Sequence, residues 1–206
     1  MRIGYNEALT NLDGLSDLTT IGGNLFITSN ATLTNLDGLA SITLVGDNIG
    51  INGNIALTNV DVLAAVDSVS GTLDISTNAA LTDVNGIAGV TYIGEDLKIM
   101  ENDLLTEING PFAITYLGRD LRIANNPALI SLDGLSSITA VGEDLSIDGN
   151  SSLVSLSGLE GITAVGQNLD IRSNDMLTDL SALSGITSVG FNLYLGYNEA
   201  LTNLNG

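Results

Sequence analysis

Carboxylates are the most abundant chemically active side chains of this chain, which has 206 residues, 24 of them acidic and 5 basic. Two triplets of aspartate recur at a spacing of 24 residues: Asp13, Asp37 and Asp61, and then Asp96, Asp120 and Asp144. Stacked carboxylates are suitable ligands for Ca²⁺, but the calcium-binding repeat G-G-x-G-x-D is absent and Asn fills the same columns elsewhere. The pattern is typical of turn capping, and we predict neither a metal site nor a cofactor.

Catalytic chemistry has equally little support in the sequence. The chain contains no Cys and no His, which removes thiol nucleophiles, disulfides and the commonest general base. Paired carboxylates occur throughout and single out no acid–base pair, and there is neither a Gly-rich phosphate loop nor a nucleophile elbow. We predict that the protein is not an enzyme.

Charge and hydropathy exclude two further classes of partner. A net charge of −19 with only five scattered cations argues against a nucleic acid partner, because phosphate binding needs clustered Lys and Arg. Mean hydropathy is high, at +0.35. Polar residues nevertheless interrupt every apolar stretch before the roughly 18 to 20 residues that a membrane-spanning helix needs. We expect a sizeable core and no membrane span.

A strict internal repeat organises the whole chain. Asn recurs every 24 residues, at Asn6, Asn30, Asn54, Asn78, Asn102, Asn126, Asn150, Asn174 and Asn198. With this Asn as position 1, the unit reads N-x-x-L-T-x-L-D-G-L-x-x-I-T-x-V-G-x-N-L-x-I-x-x, with apolar residues at positions 4, 7, 10, 13, 16, 20 and 22. Neither helical spacing nor long alternation fits these offsets. They predict a mainly β repeat solenoid of parallel strands, a single domain over 1–206 with eight full repeats starting at the first eight of these Asn and partial repeats at 1–5 and 198–206.

Stacking allows such a chain to bury its apolar residues, because coils about 4.8 Å apart pair strand on strand. Asp-Gly and Asn-Gly pairs at positions 8 and 9 predict tight turns with positive φ. Pro111 at position 10 predicts a local bulge beside Phe112.

The Asn column is interpreted as an inward ladder whose amides bond the backbone. Glycan attachment at the sequons of Asn30 and Asn150 is the alternative.

The stretch L-R-I-A-N-N-P-A-L at residues 121–129 resembles the strand and asparagine turn of leucine-rich repeats. With I-T-x-V-G ahead of L-x-I, the unit is more similar to the receptor L-domain type of repeat, found in insulin-receptor-like ectodomains and many bacterial surface proteins. The resemblance covers the whole chain and implies a right-handed coil of about eight turns. It also implies a secreted or cell-surface adhesion module that binds a protein or a glycan. Unlike animal L domains, the chain has no Cys for disulfide-bearing caps.

The outward positions 21 and 23 of the L-x-I strand, hereafter the strand face, carry four of the five basic side chains and the aromatic rings of Phe26 and Tyr194. Basic and aromatic side chains are enriched where proteins bind partners. We predict that a ligand contacts Phe26, Asp74, Lys98, Met100, Arg122, Asp148, Asp170, Arg172, Tyr194 and, just past the strand, Tyr197. The alternative is a plain solvent-exposed surface of charge-compensated pairs: Asp74 with Lys98, Asp148 with Arg172, and Arg119 with Glu95 and Glu143. Each such pair contributes about 0 to 1 kcal/mol.

A different functional class follows from position 14, which is Thr in seven of eight units: Thr19, Thr43, Thr91, Thr115, Thr139, Thr163 and Thr187. With small residues at position 12, this Thr column predicts a flat strip that resembles the ice-binding faces of antifreeze solenoids. The β-propensity of Thr is a simpler explanation. A passive spacer without a ligand is the third possibility.

The chain begins and ends inside a repeat, with Met1 at position 20 and Gly206 at position 9. This is typical of a piece of a longer array. Because unfinished coils expose strand edges, we expect weak end-to-end self-association, which salt strengthens by screening the net charge of −19.

Overall fold

The computed structural model describes residues 1–110 and 112–205, which form a coil with two sheets of parallel strands. In this part of the chain sheet A has nine strands: β1 Arg2–Gly4, β3 Leu25–Thr28, β5 Ile49–Asn52, β7 Leu73–Ser76, β9 Leu97–Met100, β11 Leu121–Ala124, β13 Leu145–Asp148, β15 Leu169–Arg172 and β17 Leu193–Gly196. Sheet B has eight shorter strands: β2 Thr20–Ile21, β4 Leu44–Val45, β6 Ser68–Val69, β8 Tyr92–Ile93, β10 Tyr116–Leu117, β12 Ala140–Val141, β14 Ala164–Val165 and β16 Ser188–Val189. The predicted mainly β solenoid of parallel strands is confirmed.

Short 3-10 helices connect the Asn turn to sheet B in several coils: Asp13–Leu15, Asp37–Leu39, Asp61–Ala65, Asn85–Ile87, Asp133–Leu135 and Ser181–Leu183. Among the described residues, no helix is long and apolar enough to cross a membrane.

The pairing register repeats the period of the sequence. Leu121 lies beside Leu97 on one side and Leu145 on the other. Each column of the sequence is therefore a column in space. Because strand residues alternate, positions 20 and 22 point into the core while positions 21 and 23 form the strand face.

One apolar cluster fills the coil and draws on all seven apolar positions of the repeat. Pro111, where the sequence predicts a bulge, lies outside the described residues. Its neighbour Phe112 is buried in this cluster.

The Asn column lies inside the coil and forms the predicted ladder. Asn126 is completely buried, and its Oδ1 accepts the Asn102 N–H at 3.0 Å. Its Nδ2 donates to the Ile99 carbonyl at 3.0 Å and to Asn150 Oδ1 at 3.2 Å. Asn30 and Asn150 are buried in the same way, so the folded chain does not present their sequons for glycan attachment.

The left-handed turn lies at position 24, and the prediction of positive φ at the Asp-Gly pairs is wrong. All nine residues at position 24 have φ between 55° and 70°, and seven of them are not Gly. At position 9, in the described part of the chain, only Gly158 has positive φ. Close stacking selects Gly at position 9 instead, since a Cβ on Gly86 would lie 2.0 Å from the Val60 carbonyl oxygen of the preceding coil.

Candidate functional site

A groove of about 330 Å³ lies on the strand face of β11, β13, β15 and β17. Its lining combines carboxylates, amides, guanidinium groups and an aromatic ring: Asp120, Leu121, Arg122, Asp144, Ser146, Asp148, Asn168, Asp170, Arg172, Asn192 and Tyr194. The structure thus brings together five of the residues selected from the sequence: Arg122, Asp148, Asp170, Arg172 and Tyr194.

Strand alternation and the parallel register position these side chains. Position 21 contributes Arg122, Ser146, Asp170 and Tyr194 from four consecutive coils, each beside the next. Ser146 is small and lies between two longer side chains, so it forms a low point of the surface.

Arg172 is held by a carboxylate of its own strand. Its Nε and Nη2 donate to the two carboxylate oxygens of Asp170, each at 2.5 Å. This bidentate hydrogen bond raises the pKa of the Arg172 guanidinium and fixes the orientation of its plane. Asp148 lies beside Arg172 in the register, as predicted, and its charge also raises the pKa of Arg172. The hydrogen-bonded ion pair forms instead with Asp170, which lies two residues back on the same strand face.

Arg122 is exposed and takes part in none of the ion pairs found among the described residues. Its register neighbours are Lys98 and Ser146, neither of which is acidic. A guanidinium carries five N–H donors in a rigid plane. Arg122 is therefore the cation of the groove that is available to an external acceptor.

Position 19 forms one side of the groove, although the sequence predicts only turn capping for it. Asp144 Oδ1 accepts the Asn168 backbone N–H at 2.9 Å and the Asn168 Nδ2 at 2.8 Å. Asp120 Oδ1 accepts the Asp144 N–H at 3.0 Å. The side chains of this column therefore bond the backbone of the next coil, rather than capping their own turn as predicted, and they also line the groove. The signal in the sequence was a polar residue every 24 positions, directly before each strand of sheet A.

The other residues selected from the sequence lie outside the groove: Phe26, Asp74, Lys98 and Met100 on β3, β7 and β9, and Tyr197 just after β17. Asp74 accepts a hydrogen bond from Asn52 Nδ2 at 3.1 Å, and Lys98 Nζ lies 2.6 Å from Asp96 Oδ2. Asp74 lies beside Lys98 in the register, as predicted. The ion pair of Lys98 forms instead with Asp96, which lies directly before β9.

Asp96 is the most constrained carboxylate next to the groove. It is 5% exposed, its Oδ1 accepts the Asp120 N–H at 3.2 Å, and Arg119 Nε lies 3.9 Å away. Burial raises the pKa of this carboxyl, but the hydrogen bonds and the charges of Lys98 and Arg119 outweigh burial and hold the pKa below its ordinary value.

The Thr column of the ice-binding interpretation lies directly before the strands of sheet B, and all seven of its Thr are exposed. Its hydroxyls donate to the preceding coil, as Thr139 Oγ1 does to the Thr115 carbonyl at 3.0 Å. The adjoining position 15 carries Leu44, Tyr92 and Tyr116, each about half-exposed, so the face is not uniformly flat.

The groove offers hydrogen-bond donors, acceptors and one ring face to a ligand. In the described part of the chain, no group of three or more acidic side chains is arranged to hold a metal ion. Comparisons with family models, curated proteins and solved structures gave no match to this chain.

Proposed function

We propose that the protein is a non-enzymatic recognition module, secreted or displayed at a cell surface, that binds a glycan or a protein through the strand-face groove. The observation that carries the proposal is the groove itself, in which the donors of Arg122 have no ion-pair partner among the described residues. The resemblance to leucine-rich and L-domain repeats, whose members mostly bind proteins, peptides or glycans, agrees with it.

The chemistry of the groove favours a ligand rich in hydroxyl or amide groups. Carboxylates accept hydrogen bonds from neighbouring hydroxyls, carboxamides both donate and accept, and the Tyr194 ring offers an apolar face. Polyanions are disfavoured, because four carboxylates and two guanidinium groups line the groove within a chain of net charge −19.

The test uses the purified chain with two defined probes, an array of printed oligosaccharides and a displayed library of random peptides. We expect selective binding to a neutral oligosaccharide or to a peptide without net negative charge. Arg122→Ala and Tyr194→Ala should each weaken that binding by about tenfold or more, which corresponds to about 1.4 kcal/mol. No selective ligand in either set, or binding that survives both variants, would refute the proposal.

Arg119→Ala is the matched control for Arg122→Ala. Arg119 is an exposed cation in the turn before β11, outside the groove, with Glu95 and Glu143 at 4.0 and 3.4 Å. Its removal takes away the same charge but should leave the affinity unchanged. The thermal unfolding of all three variants should stay close to that of the unmodified chain.

Ice binding through the Thr column is a second candidate function, favoured by the exposure of all seven Thr, five of which lie in consecutive coils from Thr91 to Thr187. Shaped ice crystals and thermal hysteresis in a solution of the chain would support it. The substitutions Thr91→Lys, Thr115→Lys and Thr139→Lys should then abolish both effects. Unaltered ice would remove this candidate. If the chain is instead a passive spacer, it should bind no ligand. Both the groove variants and the Thr-column variants should then behave like the unmodified chain.

A further inference from the structure

Four bulky apolar side chains are exposed in four consecutive coils, just after the Asn turn. They are Leu104, Ile130, Val154 and Met176, hereafter the apolar patch, with exposed fractions of 54%, 49%, 42% and 53%. Leu104 and Met176 hold position 3 of their coils, and Ile130 and Val154 hold position 5. Both columns flank the buried Leu of position 4, so the four side chains face the solvent together.

The repeat itself does not require these residues. In the other units position 3 is Ala, Thr or Ser, and position 5 is Thr. The interior of the same coils is filled without them, by buried residues such as Leu129 and Leu132 at positions 4 and 7. Large apolar side chains that are grouped on the surface, rather than scattered singly, mark surfaces that contact a partner.

The backbone beneath the apolar patch is bonded between coils. The Ile130 N–H donates to the Thr106 carbonyl at 2.9 Å, and the Ala200 N–H of the following coil donates to the Asp175 carbonyl at 3.0 Å. A partner therefore meets side chains rather than an open strand edge. A helix satisfies its own backbone hydrogen bonds and can lay an apolar face on such a surface.

Carboxylates flank the apolar patch in its first and last coils. Positions 2 and 6 carry Asp103 and Glu107 in the first coil, and Asp175 and Asp179 in the last. In the described part of the chain, none of the four takes part in an ion pair. All five cations of the sequence hold positions 18, 21 or 23 instead. At about 4.8 Å per coil the two acidic ends lie about 14 Å apart, which is the length of about ten helical residues.

We propose that the apolar patch docks an amphipathic helix of a partner protein, with apolar side chains on one face and Lys or Arg at both ends. Ile130 and Val154 contact the middle of the apolar face, and Leu104 and Met176 contact its ends. The flanking carboxylates pair with the basic side chains and select the partner by its charge. This site is separate from the strand-face groove, which begins at Asp120.

A displayed library of helical peptides, about 14 residues long, is the probe for this site. We expect the enriched peptides to carry an apolar face with Lys or Arg at both ends. Ile130→Thr combined with Val154→Thr restores the residue that is common at position 5, and it should weaken binding by about tenfold or more. Asp103→Asn combined with Asp175→Asn should weaken binding by about threefold or more and reduce its dependence on salt.

Two matched controls change the same chemistry elsewhere. Leu44, on β4 of sheet B, is 49% exposed, as is Ile130, and Leu44→Thr should leave peptide binding unchanged. Asp37 is an exposed carboxylate at position 8 of another coil, and Asp37→Asn should also have no effect. Thermal unfolding should be nearly the same for all variants, because the substituted side chains are exposed.

Three results would overturn the proposal. The first is the absence of enriched peptides, or enriched peptides with acidic ends or with equal affinity for the double Thr variant. The second is a dimer in sedimentation that the double Thr variant abolishes, because a second copy of the chain would then cover the patch. The third is binding to phosphatidylcholine vesicles that the same variant abolishes, because the occupant would then be a lipid surface.

Discussion

Each buried Asn satisfies backbone groups of the preceding coil, so the column ties successive coils together along the solenoid. Replacing Asn126 by Ala leaves the Asn102 N–H and the Ile99 carbonyl without these partners. Because a buried polar group without a partner costs about 1 to 3 kcal/mol, we expect the free energy of unfolding to fall by about 2 to 4 kcal/mol. Urea unfolding followed by circular dichroism measures the loss.

Asn59→Ala is the control for this prediction. Asn59 is a half-buried turn residue whose Oδ1 accepts only the nearby Asp61 N–H, at 3.2 Å. Its removal should cost about 1 kcal/mol or less. An equal loss for both variants would contradict a special role for the ladder.

Asp96 should make stability depend on pH. The folded pKa of this carboxyl lies below its ordinary value, which is about 3.9 in an unfolded chain. Its ionised form therefore stabilises the fold above that value, and this contribution is lost as the pH falls through the folded pKa. Asp96→Asn should flatten the dependence of the urea midpoint on pH between about pH 5 and pH 2.

Lys98→Met provides the complementary measurement. It removes the hydrogen bond that helps to hold the pKa of Asp96 down, so the loss of stability should begin at a higher pH than in the unmodified chain. Identical pH profiles for the unmodified chain and Asp96→Asn would show that another carboxylate dominates.

The contrast between the Asn ladder and the ion pairs shows what the spacing of residues predicts. A 24-residue period fixes which columns are neighbours, so the inward ladder followed from the sequence alone. The ion-pair partners of Lys98 and Arg172 did not follow, because both side chains reach back two residues along the chain: Lys98 to Asp96, directly before β9, and Arg172 to Asp170, within β15. The register determines which residues of adjacent strands lie beside each other, but the rotamer of a long side chain determines which carboxylate it contacts.

In the turns between strands, the short distance between successive coils determines which residue type fits. A Cβ on Gly118, at position 17, would lie 1.8 Å from the Gly94 carbonyl oxygen of the coil before it. Gly118→Ala should therefore lower the free energy of unfolding by about 2 to 3 kcal/mol, as overpacking does. Gly22 holds the same position in the first coil and has nothing within 4 Å, so Gly22→Ala should change stability by less than about 0.5 kcal/mol. Similar losses for both would refute close stacking as the reason for Gly.

The left-handed turn at position 24 was missed because the residues there do not signal it. Only Gly53 and Gly149 are Gly, while residues such as Thr77 adopt φ near 60°. Gly is concentrated at positions 9 and 17, where it provides space between coils. A Gly-based prediction of positive φ therefore selected the wrong corner of the coil.

Across the whole molecule, the strand face is continuous while the groove is local. The sequence predicts the face, because alternation and the repeat are enough to define it. The depth of the groove depends on how far each side chain extends over its neighbours in adjacent coils. The 24-residue spacing of the sequence does not predict this. In the first coils the Phe26 ring lies over Gly50, where a Cβ would be 2.8 Å from its Cδ1 atom. Near the other end, Ser146 leaves space between Arg122 and Asp170.

In a stacked repeat each coil contacts only its neighbours, so a whole unit can be removed without changing the rest. Deleting residues 54–77 joins Gly53 to Asn78 and keeps the left-handed residue before the Asn. It also removes Ser70, the exception to Gly at position 17. We expect an unchanged β circular-dichroism spectrum and unchanged ligand affinity, because the groove begins at Asp120. Deleting only residues 54–65 leaves a half coil that interrupts every column, and it should disrupt the spectrum. Loss of binding in the whole-unit deletion would show that the groove depends on distant coils.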